Sequence, residues 1–83
     1  MPRFYFDIYD GNRDSRDEEG SEFPDLKTAC DEAVAVLPTI AGSSVWASGE
    51  IVATVRDADG TARFRACLSV RSEMLDAAEP GPA

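Results

Sequence analysis

Histidine is absent from the 83 residues, which removes the commonest general base at neutral pH and the commonest nitrogen ligand for a metal. Cysteine is scarce. Cys30 and Cys67 stand alone, with no C-x-x-C spacing and no second pair to build a disulfide framework, so both read as reduced thiols. Basic residues are few, 8 against 16 acidic ones, for a formal charge of −8. Affinity for nucleic acid comes mainly from Lys and Arg, so this balance argues against direct nucleic-acid binding; it suits a basic protein partner or plain solubility. No apolar run approaches the roughly 20 residues that cross a bilayer. Met1-Pro2-Arg3 leads straight into a strand pattern, without the basic start and apolar stretch of a secretory signal, so the expected location is cytoplasmic and off the membrane. A chain of this length buries only about 60% of its unfolded surface. That is one core, expected over residues 1–71, with a flexible tail over 72–83.

What is present first is an aromatic alternating strand. Phe4, Phe6 and Ile8 fall on one face and Tyr5, Asp7 and Tyr9 on the other, the period-two pattern of a half-buried strand. Asp10-Gly11-Asn12 supplies residues that tolerate positive φ, so the chain should reverse there, with a short polar return arm near Asp14 to Asp17 acting as an edge strand. Phe23-Pro24-Asp25 reads as a helix entrance: proline holds the preceding residue extended, and Asp25 is placed to cap the first turn.

Leu26, Ala29, Cys30, Ala33, Leu37 and Ile40 recur at three- and four-residue intervals, with Lys27, Asp31 and Glu32 opposite, which is an amphipathic helix packed on a sheet. Pro38 removes an amide donor and crowds the carbonyl four residues back, so a kink or restart is expected there, and Trp46 is expected to cover the end of the core. Ile51, Ala53 and Val55 then alternate with Val52, Thr54 and Arg56. Asp57-Ala58-Asp59-Gly60 supplies a turn, and a last strand places Ala62, Phe64, Ala66, Leu68 and Val70 against Arg63, Arg65, Cys67, Ser69 and Arg71. Beyond it, one helical turn around Met74-Leu75 is expected before a frayed end.

The order β-β-α-β-β predicts an α+β fold in which two antiparallel hairpins form one sheet and a single Pro-interrupted helix packs on one face. The other face stays open. It carries Tyr5, Tyr9, Val52, Thr54, Arg65 and Cys67, more apolar than a fully solvated face requires, so self-association as a homodimer through this face is a natural expectation.

Several of these segments carry a resemblance. Met1-Pro2-Arg3-Phe4-Tyr5-Phe6-Asp7, Asp10-Gly11, Arg16-Asp17-Glu18-Glu19-Gly20, the Phe23-Pro24-Asp25-Leu26 entrance and Val55-Arg56-Asp57-Ala58-Asp59-Gly60 resemble a family of short uncharacterised proteins of rhizobia and related alphaproteobacteria. The resemblance runs over about residues 1–71. It implies a cytoplasmic bacterial protein, and its motifs are structural punctuation.

Candidate chemistry is thin. Asp10, Asn12 and Asp14 occupy the first, third and fifth positions of an EF-hand-like spacing, but Ser15 stands where the sharp turn wants glycine and Ser21 where a bidentate Glu belongs, so no metal or other cofactor is expected. Ser43 and Ser44 have no base partner in the sequence. Cys30 lies on the apolar helix face as a small hydrophobe, whereas Cys67 is open to exposure. The expected contact residues are therefore Tyr5, Tyr9, Arg65 and Cys67 on the open face, with Asp14, Asp17, Glu18 and Glu19 in the acidic run.

Three functional readings follow. The first is a small protein-interaction or regulatory module without catalytic activity. The second is an acidic antitoxin-like or nucleic-acid-mimicking protein that binds a basic partner, since the Phe23-Pro24-Asp25-Leu26 entrance into an alanine-rich helix is also similar to HicB-type antitoxins. An enzyme using carboxylates or Cys67 is the third and least supported.

Overall fold

The computed structural model describes residues 1–11, 13–44, 49–71, 73 and 75. Trp46, Asn12 and the turn expected around Met74 lie outside them. Strand β1 spans Arg3–Tyr9, β2 Asp14–Ser15 and β3 Ser21–Glu22; helix α1 spans Leu26–Ser44, followed by β4 Gly49–Arg56 and β5 Ala62–Val70. The α+β fold expected from the sequence is present. All strands pair antiparallel in the order β2-β1-β4-β5, with β3 also on β1.

The return arm differs from expectation. It is not one strand over Asp14 to Asp17 but two pieces, pairing Ile8 with Ser15 and Phe4 with Ser21, so it carries two more residues than β1 between those pairs. The surplus is taken up by a turn through Asp17 to Gly20, which lifts Asp17 out of the ladder. Gly20 closes that turn at φ +72°, a conformation favouring glycine. A Cβ there would stand 2.8 Å from Tyr5 Cε2 and 2.9 Å from the Phe4 carbonyl oxygen.

Asp25 caps α1 as expected: its Oδ1 accepts from the Thr28 amide at 2.8 Å and from the Thr28 hydroxyl at 2.7 Å. The helix runs as one element through Pro38 instead of restarting there. Pro38 and Val34, whose carbonyl loses its donor, are both on the exposed side, where water can take the partner's place. The second hairpin closes as a type I turn with Gly60 left-handed at φ +86°. The Asp57 amide donates to the Thr61 carbonyl at 2.9 Å, and Asp57 Oδ1 accepts from the Asp59 and Thr61 amides, both at 3.0 Å.

A register shift after this turn pairs Arg56 with Ala62 and Val55 with Phe64. Ala62 therefore leaves the face it was expected to share with Phe64, and Arg63 is the extra residue. From Phe64 onward the alternation holds. Among the described residues the core comprises Phe4, Ala29, Ala33, Leu37, Ile51, Ala53 and Val55, and its three alanines let α1 approach β4 and β5 closely. Phe23 covers the β1 side, stacked on Phe6 at 5.6 Å between ring centres and tilted on Phe4 at 6.3 Å. No described helix is long and apolar enough to cross a membrane.

Candidate functional site

The open side of the sheet is organised in rows set by strand register. One row runs Asp14, Tyr9, Val52, Cys67, each residue the Cα partner of the next. Three of the expected contact residues thus share a single line. The next row runs Asp7, Thr54, Arg65, with the Arg65 Nε 3.5 Å from Thr54 Oγ1. Tyr9, Arg65, Cys67 and Asp14 are exposed, and Val52 and Thr54 are half-buried. Cys67 carries a free, exposed thiol. Cys30 is half-buried on α1, where burial and the neighbouring Asp31 raise its thiol pKa.

At the other end of this face lies a charge cluster that the sequence reading did not assemble. Arg56 Nε donates to Asp7 Oδ2 at 2.7 Å, and its Nη2 donates to Asp7 Oδ1 at 3.1 Å and to the Asp17 carbonyl at 2.8 Å. The Asp17 amide donates to Asp7 Oδ1 at 3.0 Å, while Asp17 Oδ2 accepts from the Phe6 amide at 3.1 Å and Asp17 Oδ1 from the Glu19 and Gly20 amides. The Arg56 guanidinium also lies over the Tyr5 ring, 5.0 Å from its centre. Arg56 and Asp7 side chains are only 12% and 20% exposed.

Burial works against ionisation of Asp7, but hydrogen bonds from Arg56 and the Asp17 amide outweigh it and hold the carboxyl below its ordinary range. For Asp17 burial is likewise outweighed, here by the Gly20, Phe6 and Glu19 amides. Both carboxylates are ionised and spoken for. Tyr5 and Asp17, expected as contacts, thus belong to a brace that ties the surplus turn to β1 and β4.

Glu18 and Glu19 remain exposed on that turn, where the Glu19 carbonyl accepts from Arg3 Nη1 at 2.8 Å. The acidic residues Asp14, Glu18, Glu19 and Glu22 form one border of the sheet, and Arg65 and Arg71 lie toward the other. Asp7 and Arg56 had a signal in the sequence, opposite charges at open-face parity on two strands. Strand order was needed to make them neighbours.

The fold and this site define a small two-layer α+β domain whose polar centre is a structural brace and whose open face is unoccupied by any element of its own chain among the described residues. The chain belongs to the family DUF6894, a domain of unknown function, whose family model matches residues 3–69. No curated protein and no solved structure matches it.

Proposed function

We propose that this chain is a small cytoplasmic protein-interaction module without catalytic activity, which receives a protein partner on the open face of its sheet. The observation that carries the reading is the row Asp14, Tyr9, Val52, Cys67. It presents an aromatic ring, a branched aliphatic and a thiol across the sheet, bordered by carboxylates. The brace of Asp7, Arg56 and Asp17 supports this use, because it engages the charged groups at one end of the face in hydrogen bonds while Tyr9 stays 43% exposed at the other. A partner with an apolar centre and a basic rim fits that pattern. The two free thiols suit a reducing compartment.

A second reading rests on the acidic border alone. Asp14, Glu18, Glu19 and Glu22 line one edge of the sheet, an arrangement that suits an antitoxin-like or nucleic-acid-mimicking role toward a strongly basic protein. Co-purification of the tagged full chain from native lysate separates the two. A partner that survives high salt and is lost with Tyr9→Asp supports the open face. One that is shed by salt and lost with Glu18→Lys and Glu19→Lys supports the mimic. Absence of any stoichiometric partner would count against both.

A further inference from the structure

The two edges of the sheet are treated in opposite ways. On the β1 side the outer arm is broken into two-residue pieces, twisted by a left-handed glycine and lined with carboxylates, which are the devices that stop strands from adding. On the other side β5 is an unbroken edge of nine residues, Ala62 to Val70, without proline, and regular from Phe64 onward.

The β5 edge is also apolar on the helix side. Phe64, Ala66, Leu68 and Val70 point toward α1 yet remain half-exposed. The helix packs on β5 as well as on β4, and Cys30 on its flank is only half-buried. Val34, one turn further along that flank, is 51% exposed. Among the described residues, a strip of uncovered apolar surface thus follows the free edge.

We infer that this edge is completed by a second copy of the chain, β5 pairing antiparallel with β5 about a two-fold axis to make one continuous sheet. This goes beyond the open-face reading and leaves that face free. In a protein of net charge −8, two copies repel least where Arg63, Arg65 and Arg71 dilute the acidity. Alternation restricts pairing to residues of like parity, since a slip of one residue between the strands would set Arg65 against the helix-side row. With Cys67 on the axis, Phe64 meets Val70 and Ala66 meets Leu68 of the second copy, and Arg65 meets Ser69. Centring on Arg65 sets two guanidiniums face to face, and centring on Leu68 sets Arg65 against Arg71. The Cys67 register avoids both.

The test is sedimentation equilibrium of the full chain beside thiol cross-linking. A dimer is expected, kept by Cys67→Ser and weakened about tenfold or more by Cys67→Lys, which places like charges opposite each other at an exposed position. In a Cys30→Ala chain, mild oxidation should trap a covalent dimer through Cys67, because paired Cα atoms lie about 4.5–5.5 Å apart, inside the roughly 4.4–6.8 Å window of a disulfide. A Tyr9→Cys, Cys30→Ala, Cys67→Ala chain should cross-link no faster than chance collisions allow. A monomer at high-micromolar concentration overturns the inference, as does a dimer that tolerates Cys67→Lys and falls apart with Tyr9→Lys. Neither result bears on whether a separate partner occupies the open face.

Discussion

Gly20 is the residue whose identity the backbone demands most. It is left-handed and its Cα hydrogen points into Tyr5, Arg3 and Phe4, so Gly20→Ala combines strained φ with displaced neighbours and should destabilise by more than about 1 kcal/mol. Urea unfolding measures it, and a change below half that value would mean the turn relaxes freely. Asp7 is the hub of the brace. Asp7→Asn keeps the shape but leaves Arg56 half-buried without its anion, an expected loss of about 2 kcal/mol, charge-assisted bonds being worth more than neutral ones.

The same residues set the response to acid. Asp7 and Asp17 have folded pKa values below the ordinary 3.8, so the unfolded chain binds protons first. Their contribution is complete above that ordinary value and is lost as pH falls through the lower folded values. Stability should therefore drop steeply below about pH 4, and the slope should flatten in Asp7→Asn. An unchanged slope in that variant would assign acid sensitivity to other carboxylates.

At the scale of elements, α1 is held by its cap and weakened by its proline. Asp25→Ala removes the acceptor of the Thr28 amide and hydroxyl, and the midpoint of thermal unfolding should fall by a few degrees. Pro38→Ala should act oppositely. It restores an amide donor on the exposed side of a continuous helix, so circular dichroism melting should show a gain of at least about 1 kcal/mol even after the greater freedom of the unfolded chain is counted. If melting falls instead, Pro38 contributes packing that its exposure does not suggest. Among the strands, β4 is central, paired on both sides and buried at Ile51, Ala53 and Val55. The edges differ in finish, one interrupted and acidic, the other continuous.

For the whole molecule, charge and core size act together. The chain carries −8 at neutral pH with a pI near 4.2, and among the described residues its core is built from seven, of which three are alanine. As pH falls toward 4.2 the mutual repulsion of copies vanishes, just above the range in which the brace loses its carboxylates. Light scattering during acid titration should therefore rise near pH 4.2, and should rise at higher pH for Asp7→Asn. Solubility that persists through that range would show that neither effect limits the protein.

The sequence by itself determined the alternation of Phe4, Phe6 and Ile8 against Tyr5 and Tyr9, the Asp25 cap, the extent of β5 and the Asp57 to Gly60 turn, because each depends on residues close together in the chain. It also determined that Tyr5, Tyr9, Arg65 and Cys67 share a face, since parity and antiparallel pairing suffice for that. Only the tertiary structure decided that Asp17 leaves the return strand to join Asp7 and Arg56, that the helix passes through Pro38, and that the two edges of the sheet differ in exposure. The brace joins residues up to 49 positions apart, and its geometry follows from a surplus of two residues in the return arm. No local pattern encodes that surplus, because it exists only when β1 supplies the register against which to count.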